Sequence, residues 1–328
     1  MKKSRLVLLI AAGVMAAGLI LALIGFMGVG RDFGNLTENP YVTTTRVVKE
    51  PFSDIRLDAG TSDVRFERSD SGECRVVCTE DADAPFSAAV KDGVLVIEDG
   101  ESARGSRNWY ETLVLGPAFS GKKVTVYLPE QEYRDLQVTL STGSVQIGGG
   151  LGFETGTVQT NTGDVSIGAS EIGSLSAAAG SGEISLDSVS SGSVSLAVTT
   201  GDVRISSLEC SGDVQFSAVS GSAELRDVAC AGLQGETDTG DIRLSRTVAS
   251  GEIQCECGTG TIRLTDSDAA SLKLRTTTGD IAGTILTEKI FLAKSNSGDV
   301  DFPLSTAGGT CEAVTNSGDI QLSVAGKS

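Results

Sequence analysis

Ser141-Thr142-Gly143-Ser144-Val145-Gln146-Ile147 opens a pattern that recurs down the C-terminal part of the chain. Gly, preceded each time by Ser or Thr, returns at positions 143, 163, 182, 201, 221, 240, 260, 279, 298 and 318, at intervals of 19 or 20 residues. A fixed period of this length marks a solenoid, in which each unit buries its apolar face only against its neighbours.

Two residues past each Gly stands Val145, Val165, Ile184, Val203, Ala223, Ile242, Ile262, Ile281, Val300 or Ile320. Four past it the column is again apolar, from Ile147 to Leu322, with Gly283 as its one break. The position between them is mostly polar, which is the period-two alternation of a strand with one face buried. A second apolar column, Leu136 through Leu175 and Leu272 to Cys311, lies seven residues before each Gly and is interrupted by Gly156. It opens a second strand, introduced by glycines such as Gly173, Gly192 and Gly212. The short apolar segments at Val189, Leu208 and Val228 leave open whether the coil has two faces or three.

These columns predict an all-β fold, a parallel β-solenoid (β-helix) with 19–20 residues per coil. Ten coils at about 4.8 Å make a rod on the order of 50 Å long, and the crossover rule for parallel strands favours right-handed winding. Gly at the corner supplies positive φ, and the preceding Ser or Thr is expected to satisfy the turn.

Before the regular coils, residues 46–130 alternate more loosely and read as irregular N-terminal coils and a cap. Gly60-Thr61-Ser62-Asp63-Val64-Arg65-Phe66 is the repeat phrase with one residue inserted. Residues 99–121 form a long excursion carrying Trp109 and Tyr110, a candidate contact loop because such side chains anchor interfaces. The regular solenoid runs over 131–328.

Lys2, Lys3 and Arg5 precede an uncharged stretch, Leu6 to Gly30. It is long enough for one transmembrane helix and exceeds the apolar core of a signal peptide. Residues 1–30 are therefore expected to be a cytoplasmic tip and anchor, with the membrane as partner through residues 6–30. The basic flank keeps the N-terminus cytoplasmic and places the C-terminal domain outside the cell. Residues 31–45 read as a polar linker.

The 328-residue chain holds 26 basic and 43 acidic residues and no His, a net charge of −17. Without residues 1–30, 23 basic face 43 acidic residues, a net charge of −20. Such a charge disfavours nucleic acid and anionic lipid. Lacking His, the chain has no Ser-His or Cys-His mechanism and no ordinary near-neutral proton shuttle.

The position after the repeat Gly carries Asp164, Glu183, Asp202, Asp241, Asp280, Asp299 and Asp319. Stacked carboxylates of this kind are candidate calcium ligands, and the competing reading is that each acid caps its own corner. No other cofactor is expected. Acids such as Asp164 and Glu183 also meet the spacing a carbohydrate-active β-helix enzyme needs, but so does any pair on adjacent coils, and the corners are too short to wall a cleft. No catalytic residue is assigned and the chain is not expected to be an enzyme. Seven Cys are expected mainly as buried aliphatic replacements, with Cys210 and Cys230 near enough for a disulfide.

The Ser/Thr-Gly-Asp-Val/Ile repeat, the segment Val126-Tyr127-Leu128-Pro129 before the regular coils and the preceding apolar stretch resemble a bacterial β-strand-repeat family of unknown function, whose members are described as candidate adhesins and include the membrane-anchored LiaG proteins. The resemblance covers residues 46–325 and transfers no catalytic residue. It implies a non-enzymatic binding or adhesin-like scaffold at the cell envelope, with an envelope protein or polysaccharide as partner. The alternative is a cell-envelope stress sensor or accessory protein. Since Ile320-Gln321-Leu322-Ser323-Val324 leaves no room for a cap, self-association is expected through a C-terminal edge.

Overall fold

The computed structural model describes residues 41–100 and 121–325. The expected anchor, most of the linker, and Trp109 and Tyr110 lie outside the described residues. Among the described residues no helix is long and apolar enough to cross a membrane.

The repeat phrase builds a parallel ladder in strict register. Val145 pairs with Val165, Val165 with Ile184, Ile184 with Val203 and Val203 with Ala223, so that like stacks on like. Every member of this inward column from Val145 to Ile281 is buried, as is Ile320. One continuous apolar core therefore runs along the rod, and each coil is held by its neighbours' main chain and side chains together.

Three corners bend each coil. At the first, Gly143 has φ of +133° and an added Cβ would lie 1.9 Å from the Ser62 carbonyl oxygen, so conformation and space both require glycine. Six residues beyond successive repeat glycines the second corner is left-handed without glycine, at Ala169, Ser188, Ser207, Asp227, Arg246 and Asp266. The third corner holds Gly173 and Gly192, whose φ is ordinary. There a Cβ would come within 2.5 Å of the Glu154 carbonyl oxygen and 2.4 Å of that of Gly173.

Three corners mean three faces. Leu208 pairs with Val228 and Val228 with Thr247, a short third ladder with its own buried column. The same phrase that makes the first corner is satisfied differently from expectation. Thr160, Thr276 and Thr315, three residues before a repeat Gly, donate their hydroxyls to the glycine carbonyl of an adjacent coil at 3.0–3.2 Å.

The order of coils departs from the order of the chain at both ends. Asp54–Thr61 and Asp63–Arg68 form a coil that stacks directly on Glu132–Thr142 and Val145–Ile147, so the inserted phrase at 60–66 is a true coil. Beyond it, Val94–Glu98 and Lys123–Leu128 extend the ladder in parallel. Cys74–Asp81, Tyr41–Val48 and Ser87–Lys91 then close that end antiparallel. Residues 41–45, expected as linker, thus begin a strand.

At the other end the strands Gly309–Ser317 and Ile320–Val324 insert beside Ile262–Thr278 and Ile281–Ile285. Lys289–Ser295 and Val300–Asp301 are pushed to the outside. The expectation that the last repeat forms the C-terminal edge is corrected: the edge coil is 289–301. Its interior carries Phe291 and Phe302, stacked with centroids 5.4 Å apart. Two rings of this size find room at the open end of the core. The smaller Cys311 and Ala313 fit between two coils.

Candidate functional site: corner ladder and longitudinal groove

The acidic column sits on the first corner, where each acid follows a glycine that turns the chain. The side-chain oxygen of Asp164 accepts the Glu183 backbone N–H at 2.8 Å, and Asp202 accepts that of Ser222 at 2.9 Å. Asp280 accepts the N–H of Asp319, and Asp319 that of Asp299, both at 2.8 Å. Each of these four aspartates thus caps the next coil's corner, as Asp241 caps Thr261 at 2.8 Å, and the last two bonds follow the exchanged coil order. Glu183 forms an ion pair with Arg204, which also reaches Asp202 at 3.0 Å. Arg243 pairs with Asp241 at 2.6 Å. Stacked carboxylates are tolerated because main-chain dipoles and guanidinium groups lie between them. Among the described residues no group of three or more acids or thiols is arranged to hold a metal ion.

The second corner adds one strong pair. Arg246 holds Asp227 of the preceding coil through two bonds of 2.5 and 2.7 Å. The hydrogen bond to that guanidinium keeps the Asp227 carboxyl below its ordinary range.

A different surface is concave. At the third corner successive coils present the triplets Gly152-Phe153-Glu154, Glu171-Ile172-Gly173 and Ser190-Ser191-Gly192, and continue with Glu209-Cys210-Ser211. Small residues at the bend leave a groove of about 810 Å³ running along the rod from Glu132 to Ser250. The registers Glu132 to Gly152, Gly152 to Glu171, Glu171 to Ser190 and Ser190 to Glu209 place the exposed carboxylates of Glu132, Glu171 and Glu209 in one column on alternate coils, with Glu154 beside that column on the coil between the first two. Their spacing is about 10 Å, twice the distance between strands.

The floor is formed by Tyr133, Phe153, Ile172, Ser191, Cys210 and Cys230. Tyr133 stacks against Phe52 and packs tilted against Phe153, with centroids 5.8 and 5.7 Å away, and its hydroxyl donates to the Pro129 carbonyl at 3.0 Å. Burial raises its phenol above the ordinary value. The Ser191 hydroxyl donates to the Ile172 carbonyl at 2.6 Å. Cys210 and Cys230 are free thiols in adjacent coils. Burial pushes Cys230 up to about 12, which keeps it protonated at neutral pH.

The acidic ladder is legible in the sequence and the groove is not. Its trace there is that Glu171 and Glu209 stand among regularly spaced small corner residues. The residues that line it look like turn punctuation until the three-faced coil brings them into one line.

The family model described as Toastrack DUF4097 matches residues 52–218 and 209–328. No curated protein matches the chain. Among solved structures, a candidate adhesin from Bacteroides fragilis is similar at 14% identity, with 88% of this chain and 98% of that one covered and a TM-score of 0.42. A candidate lipid-binding protein from Parabacteroides distasonis shares 15% identity over 85% of this chain and 96% of its own, with a TM-score of 0.30. A candidate adhesin from Parabacteroides merdae shares 14% identity over 87% and 97%, with a TM-score of 0.28. The family match spans all the coils built on the repeat phrase, and the chain belongs to the Toastrack DUF4097 family.

Proposed function

We propose that the chain is a membrane-anchored, extracytoplasmic and non-enzymatic binding scaffold of the adhesin-like kind. The observation that carries this reading is the longitudinal groove, with a largely apolar floor, a glycine-lined bend and the carboxylates of Glu132, Glu154, Glu171 and Glu209 along its rim. Such a surface suits an extended chain with cationic groups about 10 Å apart, or three residues of strand. Reaction chemistry has little to work with there, because the nearest hydroxyl and thiols are hydrogen-bonded or held protonated. The uncharged stretch Leu6 to Gly30 behind Lys2, Lys3 and Arg5 supports an anchor with the rod outside.

Two measurements test it. Titration with an extended lysine-containing decapeptide should give binding that weakens with salt and falls several-fold in the Glu132→Gln/Glu171→Gln/Glu209→Gln variant. Equal binding by that variant would remove the groove from the reading. Protease added to intact cells should degrade the rod, and protection of residues 41–325 would sink the extracytoplasmic assignment.

A further inference from the structure

The parallel ladder has one bare end. Lys289–Ser295 is bonded on one side only, to Gly309–Ser317, and Val300–Asp301 on one side only, to Ile320–Val324. Their other edges present unpaired main-chain groups among the described residues, a template for strand addition. The opposite end is unlike it, because Tyr41–Val48, Cys74–Asp81 and Ser87–Lys91 turn the ladder antiparallel. Head-to-tail stacking in one continuous parallel ladder therefore has no matching surface.

Apolar exposure concentrates at the bare end. Leu286, Ile290, Leu292, Val300 and Leu304 are five of the nine large apolar residues exposed among the described residues, and Leu304 is 96% exposed. Leu292 is 58% exposed on the outer face of the edge strand, on the same side as Ile290 and Lys294. Phe291 points inward between them, 9% exposed. A soluble rod with so negative a charge gains nothing from gathering bare leucines at one tip unless something covers them.

We propose that this edge pairs with the same edge of a second copy, the two Lys289–Ser295 strands running antiparallel about a two-fold axis at Phe291. The choice of partner and register follows from the side chains. Antiparallel pairing must keep outward residues opposite outward ones, which restricts the axis to a residue position. With the axis at Phe291, Ile290 faces Leu292 of the second copy, Phe291 faces its like, and Lys294 comes opposite Glu288, the half-buried residue just before the strand, whose carboxylate also accepts the Ser305 hydroxyl at 3.2 Å. Moving the axis to Leu292 sets Ile290 against Lys294, and moving it to Ile290 sets Leu292 against Glu288. Only the Phe291 register matches apolar with apolar and opposite charge with opposite charge. The edge is thus self-complementary, as a two-fold interface requires. Lys294, which as a lone edge lysine discourages indiscriminate pairing, becomes a selector for this one arrangement. The pairing doubles the rod and sends the two antiparallel caps to opposite ends. It goes beyond the binding reading of the groove and does not depend on it.

The test is sedimentation of the full chain in mild detergent over a range of concentrations. A concentration-dependent dimer is expected, weakened about tenfold by Lys294→Glu, which sets two glutamates face to face at both ends of the pair. The exchange Glu288→Lys/Lys294→Glu should restore it, and Leu292→Asp, at an exposed position that leaves the fold intact, should abolish it. A monomer at about 100 µM overturns the proposal. So does a dimer that Lys294→Glu and Leu292→Asp both leave unchanged, since association would then belong to the anchor or another face. Capture of an unrelated protein by a chain that stays monomeric equally overturns it.

Discussion

Gly235 and Phe216 face each other across adjacent coils, and the empty space over one is filled by the ring of the other. A Cβ added at Gly235 would lie 2.1 Å from the Phe216 ring. Interiors packed to crystal density cannot absorb such an overlap without moving side chains or backbone. Gly235→Ala is expected to destabilise the protein by about 1–3 kcal/mol, and Phe216→Leu, mildly destabilising alone, should remove most of that penalty in the double variant. Denaturant midpoints of the four proteins give the coupling directly. The column that holds these two residues reads simply as small or apolar in the sequence. Which volume compensates which depends on register, and register is a property of two coils.

At the scale of the element, the edge coil 289–301 is tied down by a buried ion pair. The Lys289 ammonium lies 2.6 Å from Asp268, and the two side chains are 3% and 9% exposed. Lys289 registers with Gly309, which has no side chain to block its path toward the preceding coil. Asp268 also accepts the Ala269 N–H at 2.8 Å. Removing one partner leaves an uncompensated buried charge, so Lys289→Met should cost about 3–5 kcal/mol. The loss should be local, because a terminal coil leans on one neighbour only. Hydrogen exchange is expected to rise across residues 289–301 while the coils from 145 to 262 stay protected. Uniform loss of protection would show instead that the end coil unfolds together with the rest. The added change Asp268→Leu should recover most of the stability.

Over the whole molecule the seven thiols act together. All are buried and free. Burial pushes Cys74, Cys230, Cys255 and Cys311 up to about 12 and Cys78 up to about 11, from an ordinary 9.0. A thiol whose folded value is raised loses its proton first in the unfolded chain. Stability is therefore full below pH 9 and falls as pH rises from about 9 toward 12. Thermal midpoints measured across that window should drop steeply, and Cys255→Val with Cys311→Val should flatten the slope. An unchanged slope would assign the alkaline loss to Tyr133 and the other alkaline groups. Below pH 9 the same protonation predicts seven thiols that resist alkylation until the rod is unfolded.

Much of this molecule is written locally. The 19–20 residue period, the inward columns and the first corner follow from alternation and from Gly143 and its successors, because burial of one strand face is a property of a few neighbouring residues. The charged corner is equally legible, although the acid caps the next coil and not its own. Tertiary structure alone decided the rest. The second corner bends at Ser188 or Arg246, residues that carry no sign of a left-handed backbone, as well as at Asp227, which tolerates one, and all are held there by the stack. The groove exists only because a third face aligns Glu132, Glu171 and Glu209. Most of all, parallel strands with nearly identical patterns are interchangeable partners. Whether 309–324 or 289–301 stacks on the coil before them is settled by ring size, by the reach of Lys289 to Asp268, and by the bonds Thr315 and Asp319 make to Gly279 and Asp280. Sequence order is therefore silent about which edge stays bare, because that edge is what remains once the better-fitting coil has taken the interior place.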